Sequence, residues 1–271
     1  MEIKISDDFD LKKIVDSGQC FRPREIDSGV FRFICGENIL HISARGESLF
    51  EADCSAENWK RVWKNYFDLD TNYANIRRDI ETFAAGKPYE KILRDALEFG
   101  KGIRILKQEP FETLISFIIS QRKNIPAIRS SVERICAKFG RRVGEVNLFP
   151  RVEEISSATL DDLTGLGLAY RKDYILDAVK KISGGEIDLT ALETLTDEEL
   201  VETLKTIRGV GDKVANCVAL FTYHRVDRAP VDVWIKRALD EDFGGENIFD
   251  NFGTNAGILQ QYVFYHKRSN K

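Results

Sequence analysis

The rhythm of apolar and polar positions changes partway along the chain. Gly29-Val30-Phe31-Arg32-Phe33-Ile34 and Ile39-Leu40-His41-Ile42 are short strand-like runs, and Cys35-Gly36-Glu37-Asn38 between them has turn composition. Together they predict a β-hairpin. Ser48-Leu49-Phe50 is a further candidate strand. Trp59, Val62, Trp63, Tyr66 and Phe67 then fall at i, i+3, i+4, i+7 and i+8, a helical stripe whose rings belong in a core. From about residue 105 every signal is helical. Phe111 to Gln121 reads as a buried helix, and Pro126 opens the next, which runs to Phe139 before Gly140. Leu160 to Leu166 predicts a short helix, and Tyr170 to Ile182 a longer one closed by Gly184-Gly185. Thr196-Asp197-Glu198-Glu199 has the composition of a capping box for a helix reaching Ile207. Another helix runs to about Tyr223, one starts at Val231, and Asn255 to His266 makes the last. The expected fold is α+β: a small N-terminal antiparallel β-sheet domain with helices over residues 1–103, then an all-helical body over 104–271. The terminal helix is expected to pack back near the N-terminal domain.

Composition narrows the class. A chain of 271 residues with 43% apolar content suits a packed globular protein. No apolar run approaches the roughly 18 residues that span a bilayer, and the acidic N-terminus lacks the apolar stretch of a secretory signal. A cytoplasmic protein without membrane contact is expected. Five cysteines (Cys20, Cys35, Cys54, Cys136, Cys217) are scattered, with no Cys-x-x-Cys pair. That supports neither a zinc knuckle, a disulfide framework nor a four-cysteine iron–sulfur cluster. The net charge of −4 lowers the prior for nucleic acid. Basic islands nevertheless occur at Gln121-Arg122-Lys123-Asn124, Tyr170-Arg171-Lys172 and His266-Lys267-Arg268.

The chemistry concentrates between Leu204 and Trp234. Gly209 and Gly211 flank Val210 in a turn between two helical patterns, and Lys213 falls in the first turn of the second. A Gly-x-Gly turn at a helix N-terminus exposes backbone N–H groups that suit a phosphate. An ordinary αα-hairpin has the same outline. Lysine at its usual pKa of about 10.4 is protonated at neutral pH, so a nucleophilic lysine needs desolvation or nearby positive potential. Lys213 sits at the positive end of its helix, in line with apolar Cys217 and Phe221. Asp232 follows in Pro230-Val231-Asp232. It could cap the helix behind it, pair with Lys236 or Arg237, or stabilise a developing cation at a sugar carbon.

Gly209-Val210-Gly211-Asp212-Lys213-Val214-Ala215, taken with Pro230-Val231-Asp232-Val233, resembles the 8-oxoguanine DNA glycosylase/AP lyase family of helix-hairpin-helix glycosylases, in its compact prokaryotic form. Ser17-Gly18-Gln19-Cys20-Phe21-Arg22, the run Gly165 to Arg171 and the run Ala256 to Phe264 resemble further segments of that family, in family order. The resemblance implies that Lys213 attacks C1′, expels the oxidised base and forms a Schiff base for β-elimination, with Asp232 assisting at the sugar. It implies that the Gly18 carbonyl accepts from N7–H of 8-oxoguanine, that Gln260 reads the Watson–Crick edge, and that Cys217 and Phe264 sandwich the base. Normal guanine carries a lone pair at N7 and would meet that carbonyl repulsively. Tyr170 resembles the intercalating wedge and Arg171 the contact to the estranged base, with Arg122, Asn124, Gly209 and Gly211 completing the DNA contacts.

Departures from the family occur where its animal members carry an asparagine-rich run. Here Arg122-Lys123-Asn124 stands in its place, Ala127 stands where a second arginine reads the opposite cytosine, and Trp234 replaces a histidine. A relaxed opposite-base preference is therefore expected. The implied partner is double-stranded DNA containing 8-oxoguanine, bound by a monomer in a prokaryotic cytoplasm, with no cofactor or metal required. A monofunctional glycosylase for alkylated bases would lack Lys213, and a non-catalytic helix-hairpin-helix DNA-binding protein would need neither Lys213 nor Asp232.

Overall fold

The computed structural model of the chain describes residues 1–270. In chain order, the first stretch holds β1 (Glu2–Lys4), α1 (Leu11–Asp16), β2 (Arg24–Asp27), β3 (Val30–Cys35), β4 (Asn38–Ala44) and β5 (Leu49–Ala52). α2 (Ala56–Asn58), a π turn at Trp59–Trp63 and α3 (Lys64–Tyr66) follow, then α4 (Tyr73–Ala84) and α5 (Glu90–Gly100). The middle of the chain carries α6 (Pro110–Ser120), α7 (Ile125–Phe139), the short strands β6 (Arg142–Val143) and β7 (Val146–Asn147), α8 (Val152–Ile155) and α9 (Arg171–Ser183). α10 (Asp197–Lys205), α11 (Asp212–Phe221), α12 (Val233–Asp242) and α13 (Ala256–Ser269) complete it. Among the described residues no helix is long and apolar enough to cross a membrane.

The chain forms two compact units, each drawn from more than one stretch of sequence. Unit 1 comprises residues 1–33, 39–107 and 224–271, and unit 2 comprises 34–38 and 108–223. The middle of the sequence thus makes one body, while both ends make the other.

In unit 1 the sheet runs β1-β5-β4-β3-β2 with antiparallel pairing, so that Ile3 faces Phe50 and Ile42 faces Ala52. The aromatic stripe packs as expected: Trp59, Trp63, Tyr66 and Phe67 are all buried. Phe67 meets Phe9 and Phe33 edge to face at 5.2 and 4.9 Å, arrangements that add to the area they bury. α13 lies against α5 so closely that a Cβ on Gly100 would fall 2.8 Å from the Tyr262 ring. Only glycine allows that approach.

A buried cation organises the loops of this unit. Arg104 is fully buried and donates to the carbonyls of Asp8, Phe67, Asp68 and Thr71 and to the Asp7 carboxylate, at 2.6 to 3.0 Å. The buried Asp68 carboxylate accepts from Tyr73, Lys107 and His224 at 3.0 to 3.1 Å. Burial by itself would raise the Asp68 pKa, but His224 and Lys107 more than offset this and hold it below the usual carboxylate value. A carboxyl lowered in the fold contributes stability above the unfolded pKa, and that contribution is lost as pH falls through the folded value. Asp68→Asn is therefore expected to cost about 3 kcal/mol at neutral pH, because it strands buried partners. The difference from wild type should begin to shrink below about pH 4, where the unfolded-state carboxylate takes up a proton, and it should be lost once pH falls through the lower folded value. Urea denaturation of both proteins at neutral and acid pH checks this.

Unit 2 is built from helices with legible starts. Glu109 and Asn124 cap α6 and α7, each side chain accepting from the amide three residues on, with proline in the first turn. Thr196 and Glu199 form the reciprocal capping box expected at α10. Two details differ from the sequence reading. Leu160–Leu166 forms consecutive turns and no helix. Gly165 and Gly167 adopt left-handed φ of +82° and +76°, and Thr159 and Asp162 side chains satisfy the local amides instead of a helical ladder. The two-residue strands β6 and β7 also interrupt an otherwise helical unit.

Candidate active site

In unit 2, α10 and α11 form the expected hairpin. Gly209 has φ of +77°, and a Cβ there would fall 2.2 Å from the Tyr174 ring of α9. The turn is therefore both left-handed and pressed onto an aromatic face, which restricts it to glycine. Gly211 is the N-cap of α11 in extended conformation, with no side chain capping the first-turn amides. Those amides and the helix dipole together suit an anion. Lys205 pairs with Asp212 at 2.9 Å and with Glu202 at 2.8 Å, tying one helix end to the next.

Lys213 is half-buried in the first turn of α11. Its Nζ donates to Ser120 Oγ at 3.3 Å and lies 4.9 Å from the Phe117 ring centroid. Phe117 stacks on Phe221 with centroids 5.5 Å apart. Cys217, one turn on from Lys213, is buried. An amine held by one hydroxyl and an aromatic face is accessible, oriented and uncommitted to a carboxylate. By contrast, burial followed by Glu112 and Glu109 pushes the Cys35 thiol up to about 12, which disqualifies it as a nucleophile at neutral pH.

The loops of unit 2 carry the remaining expected contacts. Arg122 and Asn124 are exposed between α6 and α7, with Arg122 at φ of +51°. Tyr170 is 45% exposed just before α9. A cavity of about 670 Å³ in this unit, lined by Glu109, Phe111, Arg141, Phe149 and Leu189 among others, contains none of these residues. The candidate chemistry sits on turns and helix ends, which suits an extended ligand better than a small molecule.

Unit 1 brings three distant segments together. Gln260 on α13 donates to the Pro230 carbonyl at 3.0 Å, and its neighbour Gln261 donates to the Ser17 carbonyl at 2.8 Å. Gly18 follows with φ of +86°. Gln19 fixes this loop by donating to Arg104 O and accepting from Leu106 N, each at 2.8 Å. Gln260 is 4% exposed, yet its Oε1 has no partner among the described residues. An unpaired buried amide oxygen costs free energy unless a ligand supplies the donor. Phe264 lies one turn further along α13, half-buried, with the Arg268 guanidinium 5.3 Å from its ring centroid. Asp232 caps α12, its Oδ1 accepting from Trp234 N and Ile235 N at 2.9 Å each. α12 therefore starts at Val233, two residues later than the apolar pattern suggests.

Residues 2–114 match the model for the 8-oxoguanine DNA glycosylase N-terminal domain, and residues 115–250 match that for HhH-GPD superfamily base excision DNA repair proteins. An 8-oxoguanine glycosylase/lyase from Clostridium acetobutylicum, solved with double-stranded DNA containing cytosine opposite 8-oxoguanine, superposes with TM-score 0.90 at 33% identity. The match covers 100% of this chain and 98% of that one. The chain belongs to the 8-oxoguanine DNA glycosylase family. An N-glycosylase/DNA lyase of Saccharomyces cerevisiae is 37% identical over 70% of this chain, which spans 54% of the yeast protein. A probable N-glycosylase/DNA lyase of Methanothermobacter thermautotrophicus is 27% identical, covering 96% of this chain and 94% of that protein.

Arg171 of this 8-oxoguanine DNA glycosylase family member turns inward. It is 5% exposed, and its nitrogens donate to Gln121 O and to Leu168 O. The sequence marks this residue only as part of a basic island, and the fold delivers these two carbonyls to its guanidinium. Sequence reading also passed over Ser120, Phe117 and Lys123. Ser120 and Phe117 looked like ordinary members of an apolar helix, and only folding sets them beside Lys213. Lys123 was visible only as part of a basic island.

Proposed function

We propose that this chain is a bifunctional DNA glycosylase/AP lyase that excises 8-oxoguanine from duplex DNA. The observation that carries the reading is Lys213, a half-buried amine in the first turn of the hairpin helix, held among the described residues by Ser120 and Phe117. A monofunctional glycosylase has no use for an amine there, and a non-catalytic DNA-binding module has no use for the unsatisfied Gln260 amide.

The roles follow from the chemistry. Amides at Gly211 and the start of α11 take a backbone phosphate, with Arg122 and Asn124 adding contacts from the preceding loop. Tyr170 enters the stack when the damaged nucleotide leaves it, offsetting part of the few kcal/mol that flipping costs. The Gly18 carbonyl accepts N7–H, the Gln260 amide engages the Watson–Crick edge, and Cys217 and Phe264 supply the two faces. Lys213 Nζ attacks C1′ and the glycosidic electron pair leaves with the base. The sugar ring then opens to a protonated imine, loss of a C2′ proton expels the 3′ phosphate, and hydrolysis frees the lysine. Asp232 carries a negative charge for the cation that develops at the sugar. No cofactor enters this sequence. The same reading makes the working form a monomer on the DNA of a prokaryotic cytoplasm.

Four duplexes with each base opposite 8-oxoguanine test the reading. Base release and strand cleavage are expected in all four, with weak preference for cytosine, because Ala127 offers no second arginine. Absence of release from every duplex would defeat the assignment, and strict dependence on cytosine would defeat the relaxed preference.

A further inference from the structure

α1 ends on carbonyls that its own helix cannot satisfy, and α13 supplies donors for two of them. The last turn of a helix leaves its C=O groups without intrahelical N–H partners. Ile14 O is met locally, by Ser17 N and by the Ser17 hydroxyl at 2.7 Å. Asp16 O accepts from Arg268 Nη2, and Ser17 O accepts from Gln261 Nε2 at 2.8 Å. Both donors come from the far end of the sequence. Gln261, Phe264 and Arg268 stand at i, i+3 and i+7 of α13 and so share one face. The Arg268 guanidinium carbon also lies 5.3 Å from the Phe264 ring centroid. One side chain therefore registers the loop after α1 against the ring that α13 carries.

Gly18 is the residue that these contacts frame. Its neighbours Ser17 and Gln19 are fully buried. Gln19 Nε2 donates to Ser17 Oγ at 3.0 Å and to Arg104 O at 2.8 Å, and its Oε1 accepts from Leu106 N. Gly18 itself has φ of +86°, and its carbonyl accepts no hydrogen bond among the described residues. Glycine is the residue least able to hold its own peptide in one orientation. The direction of this carbonyl is therefore imposed by the bonds on either side of it, those of Gln19 behind and those of Arg268 and Gln261 ahead. Ser17 O belongs to the peptide that enters Gly18, so the Gln261 bond fixes the plane from which the Gly18 carbonyl departs.

We infer that Gln261 and Arg268 are positioning residues for specificity: by holding Ser17 O and Asp16 O they aim the Gly18 carbonyl, and so set the discrimination between 8-oxoguanine and guanine. This rests on the reading of Gly18 as the acceptor of N7–H. The distinction turns on one hydrogen atom. 8-Oxoguanine presents a donor at N7 where guanine presents a lone pair, so a fixed carbonyl attracts the first and repels the second. A carbonyl free to swing loses both halves of that distinction. It must be ordered before it meets the donor, and it can turn away from the lone pair. What the two residues contribute is preorganisation of the acceptor.

The test uses the full-length protein with Arg268→Met and Gln261→Met, each of which removes the donor and keeps much of the stem. Binding is read in the Lys213→Gln background, so that the base stays attached, on duplexes that differ only in carrying 8-oxoguanine or guanine. Each variant is expected to lower the ratio of the two affinities by roughly 10-fold, the scale of one directed hydrogen bond. With Lys213 present, single-turnover release of 8-oxoguanine should slow by a similar factor. Strand cleavage at a preformed abasic site offers no base to Gly18 and should be unchanged. Arg268 is half-buried, so its truncation should fold even if the buried Gln261 position does not tolerate the change. Equal losses on the lesion and on the abasic site would show a general loss of structure and overturn the inference. A parent that discriminates, with both variants discriminating equally well, would defeat the inference alone. A parent that binds both duplexes alike would defeat the Gly18 reading, and the inference with it.

Discussion

Lys213→Gln is expected to abolish borohydride trapping on 8-oxoguanine DNA and to lower excision on the order of 10^4-fold, the scale of losing a covalent catalyst. The substitution keeps a polar side chain of similar reach, so the contacts to Ser120 Oγ and the Phe117 ring can be retained in part. Stability should change by less than about 0.5 kcal/mol, as for partly exposed positions outside the core. The melting temperature and gel shift on lesion DNA should therefore stay near wild type while the covalent band disappears. Removing the amine removes the only atom proposed to bond C1′, which is why the effect is large and specific. A Gln variant that still traps fully would show that another nucleophile is at work.

The second large effect is expected at Asp232, where two roles overlap and can be separated. Its Oδ1 accepts from the amides of Trp234 and Ile235 and so starts α12. Asparagine caps helices about as well as aspartate, whereas alanine loses about 0.5–2 kcal/mol. Asp232→Asn should therefore leave stability within about 1 kcal/mol of wild type. It should nonetheless slow excision by about 10^2–10^3-fold, the loss typical of removing a group aimed at developing transition-state charge. Asp232→Ala should show both losses. Denaturation curves and single-turnover excision on the same three proteins make the comparison. If Asp232→Asn excised at the wild-type rate, the carboxylate would be a cap and nothing more.

Much of the local structure was legible before folding. Thr196 with Glu199, and Asp232, mark helix starts through bonds that span two or three residues, and Pro126 marks another by its fixed φ. The hairpin of Val30–Cys35 and Asn38–Ala44 and the buried ring stripe from Trp59 to Phe67 are likewise local in origin. Where the pattern misled, the cause was a competing local interaction. Leu160–Leu166 has helical composition, but its flanking glycines and the Thr159–Asp162 side-chain bonds favour consecutive turns. α4 and α5 escaped notice beside the strand signals of the first hundred residues, although both are amphipathic.

The sequence by itself determined the reactive parts of this protein: a lysine behind a Gly-x-Gly turn, an aspartate that caps the next helix, and a glycine loop and terminal helix of one family. These are short patterns whose physics lies in caps, dipoles and backbone freedom, so they survive without knowledge of the rest of the chain. The tertiary structure alone decided which of them meet. Gln261 binds the Ser17 carbonyl across 244 residues, and that bond sets the Gly18 loop beside Gln260. It also decided that Arg171, written in the sequence as one more exposed cation, turns inward to the Gln121 carbonyl 50 residues away. A side chain's charge is a property of its residue type. Whether that charge faces DNA or holds a loop depends on which unpaired carbonyls the fold delivers to it.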